Sequence, residues 1–265
     1  MKCILLGTGG SGGVPLLGGA DGAGEWGNCD PKNPKNRRTR VSLYVEHQGA
    51  KLLIDTSPDL RAQFLRNRLK HIDAILYTHN HADHLHGVDD VRSINFMTQK
   101  PLHAYTSAYY AKEIAERFPY IFRDKPPVMT EAFYRPVIIM HTIEVMQPFA
   151  VEGFTFPIES FYQDHGFLQS IGFRIGNMAY SVDTKGFPPE SKPFLENLDV
   201  WIIDCAAYDA SPGHAYLDLT LSWIEKFKPK RTILTHLGPQ MDYEELKAKL
   251  PAGVEVGYDG MVVES

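Results

Sequence analysis

The chain has 265 residues, 43% of them hydrophobic, and a formal net charge of −5. That hydrophobic share fills a sizeable core and excludes a disordered chain, and the length suits one α/β domain over residues 1–265. The acidic balance offers no basic footprint for gripping nucleic acid. Cys3, Cys29 and Cys205 form no CxxC pair or disulfide framework, which suits a reducing cytoplasm; neither a secretory leader nor an apolar run of the ~20 residues a membrane helix needs is expected.

Residues 2–6 read as a short buried strand running into Gly7-Thr8-Gly9-Gly10-Ser11-Gly12-Gly13-Val14-Pro15. The glycines fit the GxGxxG dinucleotide fingerprint, which requires a helix directly behind it. Pro15, Gly18, Gly19, Gly22 and Gly24 deny that helix, so the segment reads as a loop passing close to a site where side chains would obstruct. Residues 18–36 form a Gly/Pro/Asn-rich excursion closed by Arg37, Arg38 and Arg40, read as a solvated turn. Val41, Leu43 and Val45 alternate as a strand, Gln48-Gly49-Ala50 turns the chain and 51–55 returns it, giving a hairpin. Ser57-Pro58-Asp59 opens a helix with Leu60, Phe64 and Leu65 on one face, leading to a strand over 73–77.

Further along, 88–96 reads as helical and 107–118 as an amphipathic helix capped by Ser107, with Tyr110, Ile114 and Phe118 at helical spacing. Periodicity then fails over 118–136 while aromatics and prolines accumulate, the mark of either a lid or a packed edge. Strands are expected at 137–145, 154–159, 171–175 and 178–182. Buried strands at 199–204 and 231–235 flank a helix over 217–227, and a last helix over 243–250 precedes a terminal strand pair.

Four of the 11 histidines, His79, His81, His84 and His86, fall between Tyr77 and Asp90 with Asp83 among them. Neutral imidazoles and carboxylates are the donors that zinc and manganese take, and clustered imidazoles would repel if protonated without a cation. Residues two apart on a strand share a face, so His79 and His81 can converge where the strand ends, while Asp83 and His84 point to a second position. His165, Asp183 and His236 sit at later strand ends, where ligands distant in sequence can meet. Together they add a carboxylate to bridge two ions and one imidazole for each. Ions ~3.5–4 Å apart can hold a hydroxide between them and clamp an in-line displacement.

The order His79-x-His81-x-Asp83-His84, then His165, Asp183 and His236, resembles the metallo-β-lactamase superfamily, an α/β fold built as a four-layer αββα sandwich with a dinuclear site along one edge. Gly7-Thr8-Gly9 through Val14-Pro15, the segment around Gly213-His214-Ala215-Tyr216-Leu217, and residues 254–261 are similar to its phosphoribosyl 1,2-cyclic phosphate phosphodiesterase branch. This resemblance implies two divalent ions, Zn²⁺ and/or Mn²⁺: one on His79, His81 and His165, the other on Asp83, His84 and His236, with Asp183 bridging. It further implies catalysis by a metal-bridging hydroxide oriented by Asp83. His214 would contact the phosphate or protonate the leaving oxygen, on a small cyclic or nucleotide-like phosphodiester. A transfer-RNA 3′-end endonuclease shares these ligands but would carry a Gly-rich basic arm, which this sequence lacks. A non-catalytic nucleotide-binding member usually loses ligands, and none is lost here. Where the branch often has a cysteine-rich insert for a structural zinc, only Cys29 remains, and one thiolate cannot close a four-coordinate site, so no third zinc is expected. His47, His71, His103 and His141 match nothing and read as surface or structural; His86 stands beside the ligands as a pocket-wall candidate. A homodimer is left open.

Overall fold

A computed structural model describes residues 1–123, 137–151 and 153–264. The strands in chain order are β1 (Lys2–Gly7), β2 (Ser42–His47), β3 (Ala50–Ile54), β4 (Ala74–Leu76), β5 (Leu102–Ser107), β6 (Phe122–Arg123), β7 (Ile138–Ile143), β8 (Ile158–Asp164), β9 (Gln169–Ile175), β10 (Met178–Ser181), β11 (Val200–Asp204), β12 (Arg231–Thr235), β13 (Val254–Val256) and β14 (Met261–Glu264). Between them lie α1 (Leu60–Arg66), α2 (Ala82–Leu85), α3 (Arg92–Thr98), α4 (Ala108–Arg117), α5 (Leu217–Phe227) and α6 (Tyr243–Lys249). An eight-stranded sheet in the order β14-β1-β2-β3-β4-β5-β7-β6 faces a six-stranded sheet in the order β13-β12-β11-β10-β9-β8.

Strand alternation builds the layers. In β11 every residue is buried: Val200 and Ile202 enter the cluster between the sheets, whereas Trp201 and Ile203 enter a second cluster with Leu217 of α5 and Leu246 of α6. Successive side chains on a strand point to opposite faces, so a strand covered on both sides reads as a continuous apolar run. Tyr110 and Ile114 of α4 and Leu60 of α1 join the first cluster from the other outer layer. The result is the four-layer αββα sandwich expected above. Among the described residues, no helix is long and apolar enough to cross a membrane.

Several elements depart from the sequence reading. The periodicity does not announce β5, whose His103, Thr106 and Ser107 dilute its apolar pattern, yet it lies between β4 and β7, parallel to both. β8 begins at Ile158, not 154; Phe154 and Phe156 precede it and pack on the core edge. Region 88–96 splits into a 3₁₀ turn (Val88–Val91) and α3. Leu65 does not share the buried face of α1: it is 64% exposed, while Leu60 is buried. Of the 118–136 segment, Ile121 is buried beside β6, and residues 124–136 lie outside the described residues.

The arginines require the largest correction. Arg38 is not in a solvated turn; it is 1% exposed. Its guanidinium donates to the carbonyls of Met241 at 2.7 Å and Gly238 at 3.2 Å and reaches Cys29 Sγ at 3.7 Å. Arg40 pairs with Asp59 at 2.6 Å, so Asp59 ties the loop to α1 instead of capping the helix with its side chain. The excursion is held to the body of the protein by these long, multiply donating side chains, a task that suits guanidinium geometry.

Candidate metal centre

The carboxyl ends of the parallel strands deliver the site. β3, β4, β10, β11 and β12 end in register, Ile54 beside Leu76 in one sheet, and Ser181, Ile203 and Leu234 side by side in the other. Loops leaving these ends meet along one edge, the usual place for ligands in open α/β sheets. Asp55 follows β3, His79 and His81 follow β4, Asp183 follows β10, Asp204 closes β11 and His236 follows β12. His79 and His81 do not share a strand face: β4 stops at Leu76, and His81 is the N-cap of α2, whose first turn carries Asp83 and His84.

All seven residues read as ligands come together. His79, His81, His165 and Asp183 bring donor atoms into one group and Asp83, His84, Asp183 and His236 into a second, the atoms of each group lying within 4.8 Å of one another. Asp183 belongs to both. Its Oδ2 lies 3.6 Å from His79 Nε2 and 3.3 Å from His165 Nε2; its Oδ1 lies 3.1 Å from His84 Nε2 and 3.2 Å from His236 Nε2. Asp83 Oδ2 faces His84 Nε2 at 3.3 Å and His236 Nε2 at 3.8 Å.

The inward nitrogens are fixed by what the outward ones touch. Asp55 Oδ2 accepts from His84 Nδ1 at 2.7 Å, and its two oxygens also accept from the Thr78 amide and hydroxyl. The Thr78 oxygen, its proton committed, receives His79 Nδ1 at 2.9 Å, and the Gly213 carbonyl accepts from His165 Nδ1 at 2.6 Å. In the neutral form of each ring Nε2 is left with its lone pair facing inward. Nε2 of His79, His84 and His236 and Oδ1 of Asp183 are buried without a hydrogen-bond partner, and His165 Nε2 stands 3.3 Å from His81 Nδ1. Buried polar atoms are rarely left so, and a divalent cation satisfies this donor set.

Burial pushes His79 well below the usual imidazole value, and the nearby His84 adds to this against Asp183. For His84, burial opposes protonation but is outweighed by Asp183, Asp83 and Asp55, which hold it well above its ordinary value. Burial is likewise overcome at His236, raised to about 9 by Asp183 and Asp204. Against their own burial, the Asp83 and Asp183 carboxyls are held well below the usual range by the imidazoles around them.

His214 borders the cluster. Asp204 Oδ2 accepts from its Nδ1 at 3.0 Å, and its ring stacks on His236 with centroids 4.6 Å apart. Asp204 Oδ2 also accepts from the Thr184 amide at 3.0 Å, while Oδ1 lies 3.7 Å from His236 Nδ1. The glycine-rich loop passes beside His236 as expected: a Cβ at Gly10 would sit 3.2 Å from the ring. His86 stays outside both donor groups, exposed and edge-on to Phe118 with centroids 5.6 Å apart. His103 bonds His141 at 2.7 Å, His71 meets Lys51, and His47 packs on Phe156. Among the described residues, no such donor group includes Cys29.

Sequence reasoning missed Asp55 and Asp204. Each is an acidic residue closing an apolar strand run, the same signal that singled out Asp183.

Comparison with known proteins places this geometry. Residues 50–237 match the family model described as the beta-lactamase superfamily domain. A crystal structure of a diphosphatase from the PhnP family is 32% identical, covers 100% of this chain and 97% of its own, and superposes with a TM-score of 0.85. An octanoyltransferase of Porphyromonas gingivalis is 31% identical over 264 residues, 98% of this chain, but this chain spans about half of that protein, 51%. A ribonuclease Z of Clostridium kluyveri is 37% identical over 62 residues, 23% of this chain and 20% of its own.

Proposed function

The chain belongs to the beta-lactamase superfamily, and from that premise we propose that it is a dinuclear metal-dependent phosphodiesterase opening a small cyclic or nucleotide-like phosphodiester. The observation that carries this reading is Asp183, whose two oxygens face two separate pairs of imidazole nitrogens, three of the four buried without a hydrogen-bond partner. Similarity to a diphosphatase over the whole chain, and to a ribonuclease Z over part of it, supports phosphoric ester chemistry.

His79, His81 and His165 would hold one ion, Asp83, His84 and His236 the other, and Asp183 both. Zinc and manganese both accept donors of these kinds, and two such cations would supply positive charge that acidifies water and offsets charge developing on phosphorus. The protein supplies orientation. Asp55, Thr78 and the Gly213 carbonyl lock three rings with Nε2 inward. Asp83, ionised and at the rim of the cluster, orients the attacking water. His214, held through Nδ1 by Asp204, presents Nε2 to the leaving ribose oxygen and gives it a proton. All of this falls within one domain of 265 residues, and three buried free cysteines suit the cytoplasm.

The test is turnover by zinc- or manganese-loaded protein of bis(p-nitrophenyl) phosphate, a ribose cyclic phosphate, precursor transfer RNA and a thioester. Hydrolysis of the two small diesters is expected. Preferred cleavage of the transfer RNA would favour the endonuclease reading, and a metal-loaded sample inert on all four that binds a nucleotide tightly would favour a non-catalytic role.

A further inference from the structure

Beside the donor cluster, between the start of α4 and the β8–β9 hairpin, runs a groove of 650 Å³, a volume suited to a mononucleotide-sized group. Tyr109, Tyr162 and Phe167 line it together with Glu144 and Gln169. Phe167, at the hairpin tip, is 101% exposed and Tyr109 is 64% exposed. Rings so placed contribute nothing to the core, and they offer flat apolar faces to a ligand.

The groove neighbours the metal centre across Tyr110. Phe167 stands two residues beyond His165, and the ring of Tyr110, which also lines the groove, lies 6.5 Å from that of His79. The Tyr110 hydroxyl donates to the Gln169 carbonyl, and the His165 amide to the Leu168 carbonyl at 3.0 Å. The first bond pins the hairpin against α4 and the second closes its turn, which together fix the distance between aromatic walls and donor atoms. Among the described residues lining the groove there is no lysine or arginine, so nothing there would neutralise a second phosphate. The Glu144 carboxylate accepts hydrogen bonds and donates none, which matches a ring edge bearing N–H groups.

We propose that this groove receives the nucleobase of a nucleoside phosphodiester whose phosphorus lies at the His/Asp cluster, so that the substrate class is base-bearing and not a ribose phosphate alone. The proposal rests on the phosphodiesterase reading of the same site. Stacking on Phe167 and Tyr109 supplies affinity for any base, and Glu144 favours guanine, whose N1–H and amino group both donate.

The experiment compares guanosine 5′-(p-nitrophenyl phosphate) with ribose 5-(p-nitrophenyl phosphate), which differ only in the base, on metal-loaded protein. Base stacking predicts a kcat/KM ratio of about tenfold or more in favour of the guanosine ester. Phe167→Ala and Tyr109→Ala should carry that ratio toward one, mainly through KM, with Phe167→Tyr restoring it. Circular dichroism melts of each variant check that the fold is kept. A wild-type ratio near one, or a ratio indifferent to both alanine variants, overturns the proposal. If neither ester is hydrolysed, the phosphodiesterase reading falls, and calorimetric titration with guanosine 5′-monophosphate and ribose 5-phosphate decides the groove by itself. A preference for the guanosine compound that Phe167→Ala abolishes upholds it, and equal binding of the two overturns it.

Discussion

Asp55 and His84 meet at 2.7 Å with both side chains wholly buried. Burial raises the Asp55 carboxyl above its ordinary value despite His84, so the pair is desolvated and depends on its own geometry. Asp55→Ala leaves His84 Nδ1 without an acceptor and frees the ring. A loss of roughly 3–5 kcal/mol is expected for such a truncation, together with about 10–100-fold weaker metal binding. Denaturant unfolding of the chelated protein and metal titration measure the two effects separately.

His214 is held through Nδ1 by Asp204, and its ring stacks on His236 and meets His165 edge-on, at the border of the two ligand sets the seven residues form. His214→Ala is therefore expected to keep both ions and lose about 10²–10⁴-fold in kcat on a phosphodiester with a poor leaving group. With p-nitrophenolate, which leaves without a proton, the loss should be much smaller. Metal content by mass spectrometry and kinetics on the two esters check this. Equal losses on both would remove His214 from the role of proton donor.

Chelated protein should show a distinctive pH dependence. His236 has its folded value raised to about 9 from an ordinary 6.5, and His84 is raised well above the same value. A raised imidazole stabilises the fold fully below its unfolded value and ceases to do so as pH climbs through the folded one. The denaturation midpoint of the chelated protein should therefore fall between pH 6.5 and about 9. Asp83 and Asp183, with lowered values, oppose this only in acid, where their contribution is lost below the ordinary carboxyl range. Metal replaces the protons, so loaded protein should lack the alkaline slope, and metal affinity should rise over the same interval. A flat midpoint in the chelated form would contradict the arrangement.

Arg38→Met removes a buried guanidinium while keeping most of its apolar length. The Met241 and Gly238 carbonyls lose their donor, at a cost of roughly 1–3 kcal/mol for each group left unsatisfied. Urea unfolding should show a lower midpoint with an unchanged slope. Since Gly238 lies two residues beyond His236, weaker metal retention should accompany it; a stable variant with full metal content would show the bond network to be dispensable.

What the sequence made legible were positions whose residue types are chemically costly elsewhere. Histidines alternating with an aspartate after an apolar run, and single acids or imidazoles at strand ends, marked all seven cluster members. The same rule applied evenly would have found Asp55 and Asp204. Arg38 was opaque because its neighbours are glycine, asparagine and proline, the composition of an exposed turn, and its partners stand some 200 positions later. β5 was hidden for a related reason: its central place in a parallel sheet comes from neighbours supplied by distant segments, which override a mixed local pattern.

Asp55, Asp183 and His236 each leave their strand with positive φ, at 63°, 52° and 61°. That backbone bend admits glycine freely and aspartate, asparagine and histidine with modest strain, and it repels β-branched residues. The repertoire tolerated by the chain thus overlaps the repertoire useful to a cation at two of these places, and at the third it overlaps the acid that steadies a ligand. Saturation mutagenesis at these codons would accordingly discard valine, isoleucine and threonine even in a screen that asks only for folded protein. The architecture filters the alphabet before chemistry is consulted.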